Sequence, residues 1–317
     1  MKTVGSWSGT LPSKSKKDSS MLSRLRSLSP WAMLLPSVAV LAVVIGWPLI
    51  NLIVMSTQEY GRAQVFGAPA PFVGIENFQY VLADDKFWAV FNRSVLFAAV
   101  NVFLTMTLGT LIALAMFQMS KGFRYLTQAG LLVAWAMPQL TAVIVWGWMF
   151  NTEYGVVNYS LSEFFGLDYL GHSWFAEPLS FFAVATLIIT WQSVPFVAFT
   201  IYAGLTQIPS EVREAAMLDG ASALQRFRNL TVAYLRPVFA IVITLQIIWD
   251  LRVFTQIYAL QGLGGLREET STLGVYIYNI SLGGGDYGVG GAISLIMVVL
   301  MSGLSFYYVR RTIKEAE

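Results

Sequence analysis

The 317-residue chain contains no cysteine and a single histidine, His172. Disulfides, thiolate metal sites and a cysteine nucleophile are therefore excluded, as are paired-histidine metal motifs such as HExxH. Charge is scarce too: Asp, Glu, Lys and Arg make up 12% of the residues, against roughly 25% in an ordinary soluble domain. Apolar residues take their place, at 56% of the chain. A helix crossing the hydrocarbon core needs about 20 consecutive apolar residues, and runs of that length recur along most of the sequence. The composition predicts an all-α, polytopic membrane helical bundle.

Six spans are predicted: Trp31 to Ser56, Trp88 to Phe117, Tyr125 to Phe150, Leu179 to Gln207, Thr231 to Phe254 and Gly288 to Val309. The first follows about thirty polar, basic residues; it is too long for a signal-peptide core and no small-x-small cleavage site follows it, so it is expected to remain as a helix. The predicted organisation is a basic N-terminal tail over residues 1–30, a six-span domain over 31–309 with a connecting loop at 208–230, and a short tail over 310–317. The Ser- and Lys-rich stretch from Ser6 to Arg26 is expected to begin disordered and to lie against the inner leaflet.

An even number of spans puts both termini on one side, and the Lys and Arg bias says which. The N-terminal tail, the turn with Lys121 and Arg124, the loop with Arg213, Arg226 and Arg228, and the end with Arg310, Arg311 and Lys314 hold fourteen of the twenty basic residues. The other three loops hold only Arg62, Lys86 and Arg267, and most of the acidic residues. Both termini are therefore expected in the cytoplasm. Trp88, Trp146, Trp148 and Trp174 fall near the outer interface, where amphipathic rings favour the headgroup region.

The loop between the fourth and fifth spans reads IPSEVREAAMLDGASALQRFRNLTVAYLRPV from Ile208 to Val238. Pro209 and Ser210 are helix-start signals, Glu211 to Leu218 is a good helix former, and Gly220 ends or sharply turns it. A short helix along the membrane surface is predicted. Ala215 and Ala216 are small enough to sit deep in a groove of another protein, and Arg213, Glu214 and Asp219 could fix its register by charge-assisted hydrogen bonds. By itself the pattern better describes a solvated amphipathic connector.

The run Glu214-Ala215-Ala216 followed by Asp219-Gly220-Ala221 resembles the EAA motif of binding-protein-dependent ABC permeases, and the likeness extends over roughly Leu28 to Arg311. It is closest to carbohydrate-uptake permeases of the maltose and glycerol-3-phosphate type. Phe72-Val73-Gly74, Met137-Pro138, Trp191-Gln192, Pro195-Phe196, Arg252-Val253-Phe254 and Ser271-Thr272-Leu273 resemble further family segments. The chain departs at Val232-Ala233, where Leu-Pro is common, at Thr255, where Asp is common, and at Leu266, where Pro is common. The resemblance implies that Arg213, Glu214, Ala215, Ala216, Asp219 and Gly220 couple the chain to a separate ATPase. It also implies a second homologous permease subunit, two ATPase subunits and an extracytoplasmic sugar-binding protein as partners, no nucleic acid, and no cofactor in this chain, ATP and Mg being held by the ATPases.

Polar groups at mid-membrane depth are costly and face a cavity or another helix. Asn101, Gln139, Thr141, Gln192, Gln246 and Asp250 stand there, with Trp135 and Trp191 as possible stacking platforms for a sugar ring. Gln246 and Asp250 are four apart and share a helical face, with Trp249 beside them. Trp191, Gln192, Gln246, Trp249 and Asp250 are the expected pathway residues. Each could instead be interhelical glue. Arg252 is expected to snorkel to the outer surface. Pro138 and Pro195 should loosen their helices, as at the discontinuous helices that border pathways. The stretch Gly283-Gly284-Gly285-Asp286 lacks the lysine and hydroxyl of a phosphate loop and is expected to form a flexible outer turn. The rival function, an ion-driven secondary transporter of a small polar solute, calls for inverted repeats and several mid-membrane carboxylates; Asp250 is the only one that comes close.

Overall fold

The computed structural model describes residues 30–316; the tail expected over residues 1–30 lies outside them except for Pro30. The described residues are helical, and strand-like pairing is confined to two isolated bridges, Gln58 with Phe72 and Gly61 with Asp286. By packing, the chain divides between Val54 and Met55. The first unit contains α1 (Pro30–Leu41), a π-helical turn over Ala42–Gly46 and most of α2 (Trp47–Ser56). Its apolar side chains, Leu35, Val43 and Trp47 among them, are exposed, a surface suited to hydrocarbon rather than water.

The second unit begins with two short helices, α3 (Arg62–Val65) and α4 (Glu76–Ala83), ahead of the long α5 (Asp85–Gln118). Asp84 caps α5, its carboxylate accepting from the Lys86 backbone N–H at 2.9 Å and from the Tyr276 hydroxyl at 3.0 Å. At the other end Arg124 donates to the carbonyls of Met116 and Met119, closing the last turn. α6 (Lys121–Ala136) and α7 (Gln139–Met149) follow, then α8 (Val156–Phe165) and α9 (Pro178–Leu205). The loop helices are α10 (Ser210–Leu218) and α11 (Ala223–Arg226), followed by a π-turn over Phe227–Thr231 and α12 (Val232–Tyr234). The last elements are α13 (Arg236–Leu251), α14 (Thr255–Gln261), α15 (Arg267–Thr270), α16 (Leu273–Tyr278) and α17 (Tyr287–Ala316).

Among the described residues, five helical stretches are long and apolar enough to span a bilayer: Leu34–Ser56, Asp85–Gln118, Pro178–Leu205, Arg236–Gln261 and Tyr287–Tyr308. The pair α6 and α7 makes a sixth if it counts as one crossing, but it is bent by 101°. The expected third span is thus broken at Met137-Pro138. Met137 is extended, at φ −69° and ψ 126°, as sterics demand of a residue preceding proline. Pro195, by contrast, sits inside an unbroken α9. The fifth span starts later than Thr231, after the irregular Phe227–Leu235 stretch, and runs on past Phe254 into α14. α17 continues as far as Ala316, so most of the expected C-terminal tail extends the last helix.

Three apolar clusters hold the second unit together. One gathers Phe181, Ile188, Val143 and Ile257 from α9, α7 and α14. A second joins Val81, Phe87 and Ile293 from α4, α5 and α17, and a third Ala113, Ile201, Leu235 and Val242 from α5, α9, the turn before α13 and α13 itself. The α5 and α9 contact is close because Gly109 leaves room for Val197: a Cβ at 109 would lie 2.6 Å from the Val197 side chain. Small residues at such crossings let backbones approach in a medium where burial against lipid gains little.

Candidate functional site

The loop from Ile208 to Thr231 is anchored at its base and exposed at its tip. Ile208 is buried with Leu205 and Leu235, and Pro209 N-terminally precedes α10. At the far end of α10 the Gly220 N–H donates to the Met217 carbonyl at 3.1 Å and the Ala221 N–H to the Ala216 carbonyl at 3.0 Å. That pair of bonds is a Schellman cap, and Gly220 supplies its left-handed residue at φ +74°. Ser222 and Gln225 then form a reciprocal capping box that starts α11, and Arg226 donates to the Ala221 carbonyl at 2.6 Å. Of the six predicted loop residues, Glu214, Ala215, Asp219 and Gly220 are exposed, whereas Arg213 and Ala216 are half-buried. Arg213 faces inward, its guanidinium 4.6 Å above the Phe117 ring at the end of α5. The outward face also carries Met217 and Leu218, the latter 89% exposed. A short helix with a closed C-terminal cap and with small and acidic residues facing out is a shape suited to seating in a groove.

The second feature is a cavity of about 470 Å³ where the broken third span, α9 and the α13–α14 turn meet. Trp135, Met137 and Gln139 flank the break; Gln192, Ser193 and Phe196 come from α9; Trp249, Asp250, Arg252, Phe254, Thr255 and Gln256 complete the wall. Phe196 and Trp249 meet edge to face with centroids 5.0 Å apart. The Gln192 amide donates to the Met137 carbonyl at 3.1 Å and accepts from the Gln256 amide at 3.4 Å. The wall therefore offers aromatic faces, three amide side chains, a carboxylate and a guanidinium. Its volume falls within the roughly 300–1,000 Å³ of small-ligand pockets.

Of the five predicted pathway residues the structure brings together Gln192, Trp249 and Asp250 at this cavity, but not Trp191 or Gln246. Trp191 packs into the core against Trp146, ring centroids 5.7 Å apart. Gln246 is fully buried one turn before Asp250 in α13, and neither of its amide atoms has a hydrogen-bond partner among the described residues. Asn101 is also buried and donates to the Phe97 carbonyl within its own helix. Arg252, expected to snorkel to the outer surface, borders the cavity and is exposed.

Residues 105–314 match the family described as binding-protein-dependent transport system inner membrane component. The chain belongs to that family. The permease is 38% identical over 93% of its length to the diacetylchitobiose uptake system permease protein DasB of Streptomyces coelicolor, of which it covers 90%. It is 34% identical over 88% of its length to the trehalose/maltose transport system permease protein MalF of Thermococcus litoralis, covering 92% of that protein. In structure it is similar to a bacterial ABC transporter involved in the import of the acidic polysaccharide alginate, with a TM-score of 0.78, 20% identity and coverage of 95% of this chain and all of that one. These findings support an ABC importer permease and not the ion-driven alternative.

In the permease the segment after α13 is packed, and it supplies cavity residues that sequence reasoning passed over. Gln256, Ile257, Leu260 and Gln261 are buried, as are Thr270, Ser271 and Thr272. Gln261 donates to the Thr270 and Ser271 hydroxyls, and Ser94 on α5 accepts from the Leu273 N–H at 2.8 Å. The signal that could have placed Thr255 and Gln256 at the site was the resemblance at Arg252-Val253-Phe254 directly before them. The glycine-rich stretch is likewise pinned instead of loose. Arg62 donates to the Gly283 carbonyl at 2.8 Å, and the N–H groups of Tyr287 and Gly288 both donate to the Tyr60 carbonyl. Glycines permit that close approach, so here they signal contact rather than freedom.

Proposed function

We propose that this permease forms half of the translocation pathway of a sugar-importing ABC transporter, with the cavity at the Met137-Pro138 break as its solute site. The observation that carries the reading is the cavity wall itself: aromatic faces from Trp135, Trp249 and Phe196 beside amide and carboxylate groups from Gln139, Gln192, Asp250 and Gln256. Aromatic faces suit the C–H faces of a sugar ring, and amides and a carboxylate pair with its hydroxyls. The diacetylchitobiose and trehalose/maltose relatives support the same substrate class.

In this reading both termini are cytoplasmic, as the bias of Lys and Arg requires. The α10 helix, through Arg213, Glu214, Ala215, Ala216, Asp219 and Gly220, docks on one of two separate ATPase subunits, which bind ATP and Mg; a second, homologous permease completes the pathway. An extracytoplasmic sugar-binding protein delivers the solute, in keeping with the alginate transporter that has been seen with its alginate-bound periplasmic protein. The chain carries no phosphate-binding loop, so the work must come from those partners. ATP-driven closure of the ATPases then biases the bundle between two access states.

The test is uptake of radiolabelled oligosaccharide into proteoliposomes carrying the permease with its partner subunits and binding protein. Uptake should need internal ATP and the binding protein, and Glu214→Lys should abolish it while leaving the permease folded. Uptake that persists without ATP and collapses with a proton uncoupler would contradict the proposal.

A further inference from the structure

The break at Pro138 creates a problem that one side chain solves. A carbonyl at an interrupted helix loses its partner, and at membrane depth an unmet carbonyl is costly. The Met137 carbonyl stands at that interruption, and the Gln192 Nε2 donates to it at 3.1 Å. The same amide uses its other end on a third element: its Oε1 accepts from Gln256 Nε2 at 3.4 Å. Gln256 is buried, while Gln192 and Met137 are half-buried and border the cavity. The three walls of the cavity, from the broken span, α9 and α14, are thus joined through a single amide group.

We propose that Gln192 is a positioning residue, a latch that holds the Met137-Pro138 break and the start of α14 in the register that shapes the cavity. The inference rests on the cavity being the solute path. The 3.4 Å bond to Gln256 is the longer of the two, so it is the one that yields first. A solute hydroxyl can both donate and accept, so it can take over that bond without leaving either glutamine unpaired. Solute entry then frees α14 from α9 while the Met137 carbonyl stays satisfied. Simple contact between Gln192 and solute would give the amide no such dependence on Gln256.

The chain's lack of cysteine gives a direct readout, because Met137→Cys places a unique thiol beside the break and keeps the backbone carbonyl. In the full-length permease in proteoliposomes, labelling of that thiol by a membrane-impermeant maleimide is compared for Gln192, Gln192→Met, Gln256→Met and the double variant. Methionine keeps the length of the side chain; at 192 it removes both hydrogen bonds, at 256 only the one between the two glutamines. Loss of a buried hydrogen bond predicts a labelling rate about three- to tenfold higher in each single variant. The double variant should label no faster than the quicker single, since one latch cannot be opened twice. Rates that multiply in the double variant, or that stay at the parental value in both singles, overturn the latch. Should Gln192→Met fail to fold, Gln192→Asn, too short to reach both partners, takes its place in the cycle. In uptake, a latch lowers the maximal rate by a larger factor than it raises KM, and Gln192→Asn does not rescue the rate. A raised KM with unchanged labelling makes Gln192 a solute contact only, which refutes the latch and leaves the transport reading standing. ATP-independent uptake refutes the transport reading, and the labelling cycle still decides the latch.

Discussion

Gly220 offers the sharpest test of why the loop has its shape. Its φ of +74° is one that an L side chain adopts only under strain, yet a Cβ built there meets no atom of the chain within 4 Å. The penalty for Gly220→Ala is therefore conformational, with no steric part from the permease itself. Placing a residue with a Cβ in the left-handed region costs about 1–2 kcal/mol. Asparagine tolerates that region better than alanine, and a β-branched residue worse. Because a difference of that size changes an equilibrium about 5- to 30-fold, Gly220→Ala should lower the equilibrium for forming the cap of α10 by that factor, while the bundle, which does not depend on it, remains folded. Hydrogen exchange reads this directly: the Gly220 and Ala221 amides, which donate to Met217 and Ala216, should lose protection by that factor in the permease alone. ATPase recovery on the purified permease and ATP-driven uptake should then fall in the order Gly, Asn, Ala, Val. The reasoning fails if exchange at both amides is the same in Gly220→Ala as in the parent. It fails equally if Asn and Val impair ATPase recovery to the same extent, for then contact with a partner, and not backbone strain, sets the requirement.

Other substitutions test the packing and the cavity. Gly109→Leu should overpack the α5–α9 crossing at a cost of about 1–3 kcal/mol, seen as a lower melting temperature in detergent and partly restored by Val197→Ala; equal melting temperatures would mean the helices can part freely. Phe117→Ala removes the ring beneath Arg213 and should weaken seating of α10 by about 0.5–2 kcal/mol, measured as faster proteolysis within the loop, with Phe117→Trp close to the parent. Asp250→Asn keeps the shape of the cavity wall and should cut uptake at least tenfold with no loss of thermal stability, since its Oδ2 has no partner among the described residues to lose; normal uptake would remove Asp250 from the solute site. Tyr276→Phe deletes the hydroxyl that donates to Asp84 and should destabilise the start of α5 by about 1.5–3 kcal/mol, while leaving the KM for solute unchanged.

The sequence was legible where one local rule acts alone and illegible where tertiary packing arbitrates. The apolar runs located α5, α9 and α17 because hydrocarbon thickness imposes length whatever the neighbours do. Two prolines looked alike, yet only Pro138 interrupts its helix. Pro195 and Val194 are buried in α9, which packs along α5, and that packing outweighs the bias against helix before proline. The helical face shared by Gln246 and Asp250 could be read from their spacing, but not depth: four residues are about 6 Å along the axis, enough to put Asp250 at the cavity and Gln246 beyond it. Trp191 and Gln192 are neighbours in sequence and turn about 100° apart, so one enters the core when the other reaches the cavity. The α14–α16 stretch was missed because it is too short and too polar to announce burial; its buried Gln, Ser and Thr side chains find partners in one another, in Gln192 and in backbone carbonyls, which only the tertiary fold brings within reach.

The two halves of the proposed site are connected by α9. From Gln192 at the cavity to Leu205 at the base of the loop is about 20 Å of continuous helix at 1.5 Å per residue. Leu205 and Ile208 share a buried cluster with Leu235, so the loop leaves the bundle from a fixed joint, and Arg213 on Phe117 fixes it a second time. A displacement of α10 therefore cannot be absorbed at the joint; it must be carried by α9 or by the irregular Phe227–Leu235 stretch on the other side. That stretch contains a π-turn and a three-residue helix, the weakest backbone between the loop and the fifth span. In the proposed transport cycle α9 is then the stiff arm and the entry to α13 the compliant one. Motion that reaches the cavity along α9 arrives at Gln192, the side chain on which its three walls converge.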